Sequence, residues 1–331
     1  MSLLEEAKPA LSSVGTSTIS VFETGEYEVN SITVESGGSS IDSPPPKSLL
    51  IFTPVKAGTY PVLHFLHGFA LYNSFYSELL THIASHGYIA NAPQLYNPLR
   101  PWDSGYDEIN SAAEVTNWFS QGLKLVLPEK VEADLTKLAL AGHSRGGKAA
   151  FSLALGTYAK MSLSFSVLIG IDPVAGEDKD NQLRPEILTF QEQSLNLGIP
   201  VMVVGTGLGC KQAGFLTPPC APTGVNHEEF LKESKPTRGH MVVTDYGHMD
   251  MLNDNPPGII GLVSGIMCKN GEGSRDIMRK CVGGIVVATI KAYVEKDVTD
   301  LKAIVNDPTI APTTLDPIVL DEAQLSFFLN N

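Results

Sequence analysis

Four cysteines are few for a chain of 331 residues, and Cys210, Cys220, Cys268 and Cys281 all lie in its C-terminal half. None belongs to a CxxC pair, so the usual ligand spacing of a structural zinc site is absent. Two disulfides or four free thiols both fit this spacing, and both readings stay open. Basic residues are also scarce: 23 Lys and Arg stand against 36 Asp and Glu, a formal net charge of −13. No Lys/Arg cluster is present, so the chain lacks the patch with which proteins neutralise nucleic-acid phosphates, and no nucleic-acid partner is expected. The same acidity disfavours docking on an anionic membrane but leaves peripheral contact through an apolar patch open. No run of about 18 apolar residues occurs, so no transmembrane helix is predicted. Residues 1–17 lack the basic and apolar regions of a secretory signal, and they carry Glu5 and Glu6 without any Arg, unlike a plastid transit peptide. No GxGxxG follows a strand, so no dinucleotide cofactor is expected. The acidic stretch 177–181 lacks EF-hand spacing and reads as a solvated loop, so no metal is expected either.

An apolar fraction of 43% and a charged fraction of 18% suit a globular protein with a sizeable core. Residues 1–16 read as a loose arm. Residues 19–34 alternate like an antiparallel edge strand, and 37–47, with three consecutive prolines, form a loop. Short apolar runs then alternate with helical periodicity. A short apolar run at 49–53 ends at Pro54, and strands are predicted at 62–66, 88–92, 138–141, 165–171, 201–204 and 241–243. Helices are predicted at 74–86, 107–127, 145–155 and 276–295. This order implies βαβ units and a mainly parallel sheet covered by helices on both faces, in one domain over 17–331.

The strand at 138–141 runs into Gly142-His143-Ser144-Arg145-Gly146, a G-x-S-x-G between strand and helix. That is the nucleophile elbow of the α/β-hydrolase fold, with Ser144 as nucleophile and Gly142 and Gly146 required because side chains there would collide. In this fold the loop after the third strand and the residue after the nucleophile supply the oxyanion-hole amides, which assigns the backbones of Phe69 and Arg145. The base must follow residue 144. His240 sits in or beside a strand and His227 opens a surface helix, whereas His248 lies in a loop after the last predicted strand, where the base belongs. The strand end at 205–209 holds no carboxylate, so Asp172, one strand earlier, is the candidate acid. Asp245 and Asp250 read more simply as structuring the His248 loop.

Several segments together resemble the plant chlorophyllase family: Phe65-Leu66-His67-Gly68, Ser85-His86-Gly87, Ala92-Pro93-Gln94-Leu95-Tyr96, the elbow itself, Gly170-Ile171-Asp172-Pro173-Val174, Gly224-Val225-Asn226-His227-Glu228-Glu229-Phe230, and Asp245-Tyr246-Gly247-His248-Met249-Asp250-Met251-Leu252. The resemblance runs from about residue 22 to the long C-terminal helix. It implies hydrolysis of the phytyl ester of chlorophyll to chlorophyllide and phytol by a Ser144–Asp172–His248 triad. It also implies the chloroplast, although the opening residues leave cytosol and endomembrane open. Such a substrate calls for a wide, apolar, lid-poor site, for which 70–72 and 215–219 are candidate walls. A general carboxylesterase or polyester hydrolase, and a pigment- or hormone-binding protein without activity, are the competing readings.

Overall fold

Strand residues alternate between two cores, as a sheet buried on both faces requires. In the strand before the elbow, Ala139 and Ala141 face one core while Leu138 and Leu140 face the other. The computed structural model describes residues 20–37, 42–101, 105–215, 217–321 and 323; the arm expected at 1–16 lies outside them. Among the described residues nine strands form the main sheet: β1 (Val29–Val34), β2 (Leu49–Pro54), β3 (Gly58–Leu66), β4 (Ile89–Pro93), β5 (Val131–His143), β6 (Val167–Ile171), β9 (Val201–Thr206), β10 (Arg238–Val243) and β11 (Leu315–Leu320). The numbers β7 (Gly176–Asp178) and β8 (Asn181–Gln182) belong to a short separate hairpin.

The sheet order is β1-β2-β4-β3-β5-β6-β9-β10-β11. Strands β4, β3, β5, β6, β9 and β10 run parallel, and β1, β2 and β11 add antiparallel edges. Helices α1 (Ser77–Ser85), α7 (Arg275–Ile290) and α8 (Thr299–Asn306) contribute to one core; α2 (Gly105–Trp118), α4 (Arg145–Ala154) and α5 (His227–Glu233) contribute to the other. A short α3 (Lys124–Val126) prolongs α2, and α6 (Gly258–Met267) lies between β10 and α7. This is the α/β-hydrolase arrangement, with every expected parallel strand and helix in place.

Three differences from the sequence reading have physical causes. The strand expected at 19–34 begins only at Val29, because 21–27 turns and buries Val21 and Phe22 against α7. Strand β11 contains Pro317, which a sequence reading demotes; on a sheet edge the missing N–H is tolerated. Helix α6 is apolar almost all round, GIIGLVSGIM, and so has no periodicity to detect.

Candidate active site

The elbow is tight because its backbone nearly touches itself. Ser144 holds φ 57° and ψ −125°, a conformation that L residues avoid outside such turns. A Cβ on Gly142 would lie 2.2 Å from the Gly146 carbonyl oxygen, and one on Gly146 would lie 2.3 Å from the carbonyl oxygens of Leu66 and His67. Both glycines are therefore obligatory, as the sequence predicts. Ser144 is left at the C-terminal edge of β5, at the mouth of α4.

His248 arrives from the loop after β10. Its Nε2 is 2.8 Å from Ser144 Oγ and its Nδ1 is 2.7 Å from Asp172 Oδ2. Asp172 leaves the end of β6 with φ 41°. It also accepts a hydrogen bond from Thr206 Oγ1 at 2.6 Å. Burial alone would raise this carboxyl, but the hydrogen bond and charge of His248, with Thr206, outweigh it and hold the group below the usual carboxylate range. The three residues singled out by sequence thus lie in one hydrogen-bonded line, all under a tenth exposed.

Thr206 was not visible as a site residue. The stretch Gly205-Thr206-Gly207-Leu208-Gly209 lacks a carboxylate, yet it supplies a hydroxyl to the carboxylate of the neighbouring strand. Its glycine at 209 makes room: a Cβ there would lie 2.4 Å from Thr206 Oγ1 and 2.8 Å from Asp172 Oδ2. The other carboxylates shape the histidine loop. Asp250 accepts from the backbone N–H groups of Gly247 and Gly271, each at 2.7 Å, and Asp245 accepts from Thr314 at 2.8 Å. The remaining candidate bases pair with each other, His227 Nδ1 to His240 Nε2 at 2.9 Å. Burial, then His227, lowers His240 to about 3.

The loop after β3 is fastened from several sides. Gly68 N–H donates to the Tyr76 hydroxyl at 3.0 Å, and Tyr96 Oη donates to the Gly68 carbonyl at 3.0 Å. The Tyr76 hydroxyl is in turn 2.7 Å from His143 Nδ1, and His143 Nε2 is 2.9 Å from the His248 carbonyl oxygen. A carbonyl only accepts, so His143 carries its proton on Nε2 and the Tyr76 hydroxyl donates to Nδ1. Burial, then the neighbouring His248, keeps His143 well below its ordinary value and hence neutral. Residue 143, the unspecified x of the elbow motif, therefore ties the base loop to the loop carrying Phe69.

Phe69 and Arg145 both border the cleft at Ser144. The Arg145 side chain points away from chemistry: Nε donates to Glu108 Oε2 at 2.7 Å, Nη1 to the Pro101 carbonyl at 3.0 Å, and the guanidinium lies over the rings of Tyr96 and Phe69 at 5.0 and 5.5 Å.

Two cavities meet at Ser144. One, about 270 Å³, is walled by Leu71, Met249 and the α6 residues Ile260, Val263 and Met267. The other, about 440 Å³, lies on the Arg145 side and is bordered by Val174, Asn181, Gln182 and Leu183. Helix α6 forms a wall of the first cavity. The expected wall at 70–72 is met by Ala70 and Leu71, whereas Tyr72 packs on Phe75. Phe215 is 94% exposed, and Leu216 lies outside the described residues. Cysteine usage resolves as one disulfide, Cys220–Cys268, between a loop and the end of α6, with Cys210 and Cys281 free. Among the described residues no helix is long and apolar enough to cross a membrane.

The sequence model of the chlorophyllase family matches residues 17–322. Chlorophyllase-1 of Arabidopsis thaliana is 50% identical over 94% of this chain and 95% of its own length. Chlorophyllase-2 of the same plant is 48% identical over 86% and 92%, and "Chlorophyllase-1, chloroplastic" of Citrus unshiu is 47% identical over 96% and 95%. Likeness of this extent reaches from the first strand to the last and takes in every residue of the hydrogen-bonded line at Ser144, and it places the chain in the chlorophyllase family.

Proposed function

We propose that this protein is a carboxylic ester hydrolase that cleaves the phytyl ester of chlorophyll to chlorophyllide and phytol through an acyl-enzyme on Ser144. The observation that carries the mechanism is the line Ser144 Oγ–His248–Asp172, at 2.8 and 2.7 Å, in a member of the chlorophyllase family. His248 Nε2 takes the Ser144 proton as Oγ attacks the ester carbonyl, and Asp172 fixes the ring with Nδ1 protonated and stabilises the imidazolium. The backbone N–H groups of Phe69 and Arg145 receive the oxyanion. His248 then protonates the departing phytol oxygen, and a water activated by the same imidazole releases chlorophyllide.

Family membership supports this over a general esterase, and the intact line from serine to carboxylate supports it over a binding protein without activity. One sheet gathers strands from Val29 to Leu320, which supports a single catalytic domain over 17–331. The net charge of −13 supports the absence of a nucleic-acid partner. The exposed α6 residues Ile259, Leu262, Ile266 and Met267 support peripheral contact with a lipid surface beside the cavity. The name of the Citrus unshiu relative supports the chloroplast. The test is HPLC of chlorophyll incubated with the protein: chlorophyllide is expected with wild type and none with Ser144→Ala, and chlorophyll left intact by folded wild type would refute the function.

A further inference from the structure

The two cavities flanking Ser144 are chemically unlike, and the reaction itself orients an ester across them. In acylation the Ser144 Oγ–carbonyl bond forms and the carbonyl–alkoxy bond breaks. The proton taken from Ser144 passes through His248 Nε2 to the leaving alkoxide, which departs as the free alcohol. The alkoxy oxygen must therefore come within hydrogen-bond reach of Nε2, so the alcohol chain extends on the His248 side of the serine.

The cavity on that side is bordered by His248 and Met249. Apart from His248, its described lining has no ionisable side chain, since Cys220 and Cys268 are joined in the disulfide. Ile260 and Val263 face it from α6, and Leu71 faces it from the loop after β3. A long apolar alcohol gains by burying methylenes here, and the Ser264 hydroxyl in the lining already donates to the Gly261 carbonyl at 2.8 Å. The second cavity is larger and is bordered by Arg145 rather than His248. It carries Glu177, Asn181 and Gln182 among apolar neighbours, which suits a broad acid with polar groups on its rim. Phe69, 42% exposed, borders both spaces, as do Ser144 and Cys220.

We infer that α6 is the alcohol-recognition element of this enzyme: Ile260 and Val263 form the subsite for the long isoprenoid leaving group, and the acid portion lies across Phe69 against Gln182 and Leu183. The inference rests on the chlorophyll-hydrolase reading above and adds to it which wall reads which half of the ester.

The test compares two esters of one acid, chlorophyll and the corresponding methyl ester of chlorophyllide, and reads the phytyl-to-methyl ratio of kcat/KM. Val263→Trp, which fills the cavity, should lower that ratio by roughly 10–100-fold, the scale of a few methylene contacts. Ile260→Ala with Val263→Ala removes contacts without added bulk and should lower it by roughly tenfold; this pair covers the case in which the tryptophan variant does not fold. Gln182→Trp should depress both esters and leave the ratio unchanged, because both share the acid. Unchanged ratios in the α6 variants, or a fall in the ratio confined to Gln182→Trp, would overturn the assignment while leaving the enzyme a chlorophyll hydrolase. Wild type inert toward both esters would overturn the activity itself and this inference with it.

Discussion

The Tyr76 hydroxyl and His143 Nδ1 lie 2.7 Å apart, inside a chain of hydrogen bonds that begins at the Gly68 N–H and ends at the His248 carbonyl. The loop carrying Phe69 and the loop carrying His248 are thereby held to one another through two buried side chains. Tyr76→Phe removes the hydroxyl, leaves the Gly68 N–H and His143 Nδ1 without that partner, and changes little volume. The expected outcome is a fall in kcat of roughly tenfold with KM nearly constant, matching about 1–2 kcal/mol for one buried hydrogen bond. Steady-state kinetics check it; an unchanged kcat would mean that the two loops hold their positions independently.

Ser144→Ala should remove ester hydrolysis by about 10⁴-fold or more while circular dichroism and the unfolding midpoint stay near wild type. A folded variant that retains a few per cent of the rate would exclude Ser144 as nucleophile.

Asp172→Asn should come close to the serine variant, because an amide in that place favours the wrong imidazole tautomer, at a cost of about 10⁴-fold in the serine-protease example of this effect. Thr206→Val should be far milder and should act through Asp172. Losing the 2.6 Å hydrogen bond raises the carboxyl, so the acid limb of the pH–rate profile should move to higher pH. Asp245→Asn and Asp250→Asn should alter stability more than rate. Equal losses at all three aspartates would sink the assignment of Asp172.

Arg145→Ala should cost stability more than chemistry. It removes the hydrogen-bonding partner of Glu108, a carboxylate 3% exposed whose pKa burial raises and Arg145, then Lys148, lowers. Breaking one side of a buried pair costs about 3–5 kcal/mol, and adding Glu108→Gln should recover part of it in urea unfolding. A rate loss equal to that of Ser144→Ala in folded protein would contradict a purely backbone role for Arg145.

Burial lowers His64 and His240 to about 3 and His67 to about 4, and burial followed by His248 lowers His143 well below its ordinary value. Each is a base with a folded pKa depressed from about 6.5, so the unfolded chain takes up the proton first. Their neutral burial costs nothing above pH 6.5, and stability drains away as pH falls from there toward 3–4. Urea unfolding at pH 7.5, 6 and 5 should show a decline of about 1.4 kcal/mol per pH unit for each such histidine. His64→Leu should flatten the slope by about one proton; a midpoint independent of pH over that interval would contradict the burial of these rings.

The parallel half of the fold was legible because its signals are local. Leu138 to Ala141 is a short apolar run meeting a G-x-S-x-G, and the chain order of acid and base follows from the fold. Elimination at 205–209 points to Asp172, which lies 2.7 Å from His248 Nδ1, but not to Thr206, since a threonine at a strand end has no signature until the neighbouring strand is placed beside it. Tyr76 and His143 are 67 residues apart, and only tertiary packing makes them partners. The pairing of Cys220 with Cys268 could not be read from spacing, which leaves every connectivity open. Helix α6 escaped notice because Ile259, Leu262 and Ile266 face outward as apolar residues, against the pattern that identifies surface helices.

The segment between β10 and α7 holds both His248 and α6. His248, the base proposed above, and one wall of the cavity beside Ser144 therefore lie in one contiguous segment that starts at β10 and ends at α7. Exchanging residues 244–274 between relatives should carry over the α6 wall together with the His248 loop, while Leu71 and Cys220 of the same cavity stay with the scaffold. A fold arranged this way can vary that wall by segment replacement while Ser144 and Asp172 stay at the ends of their own strands.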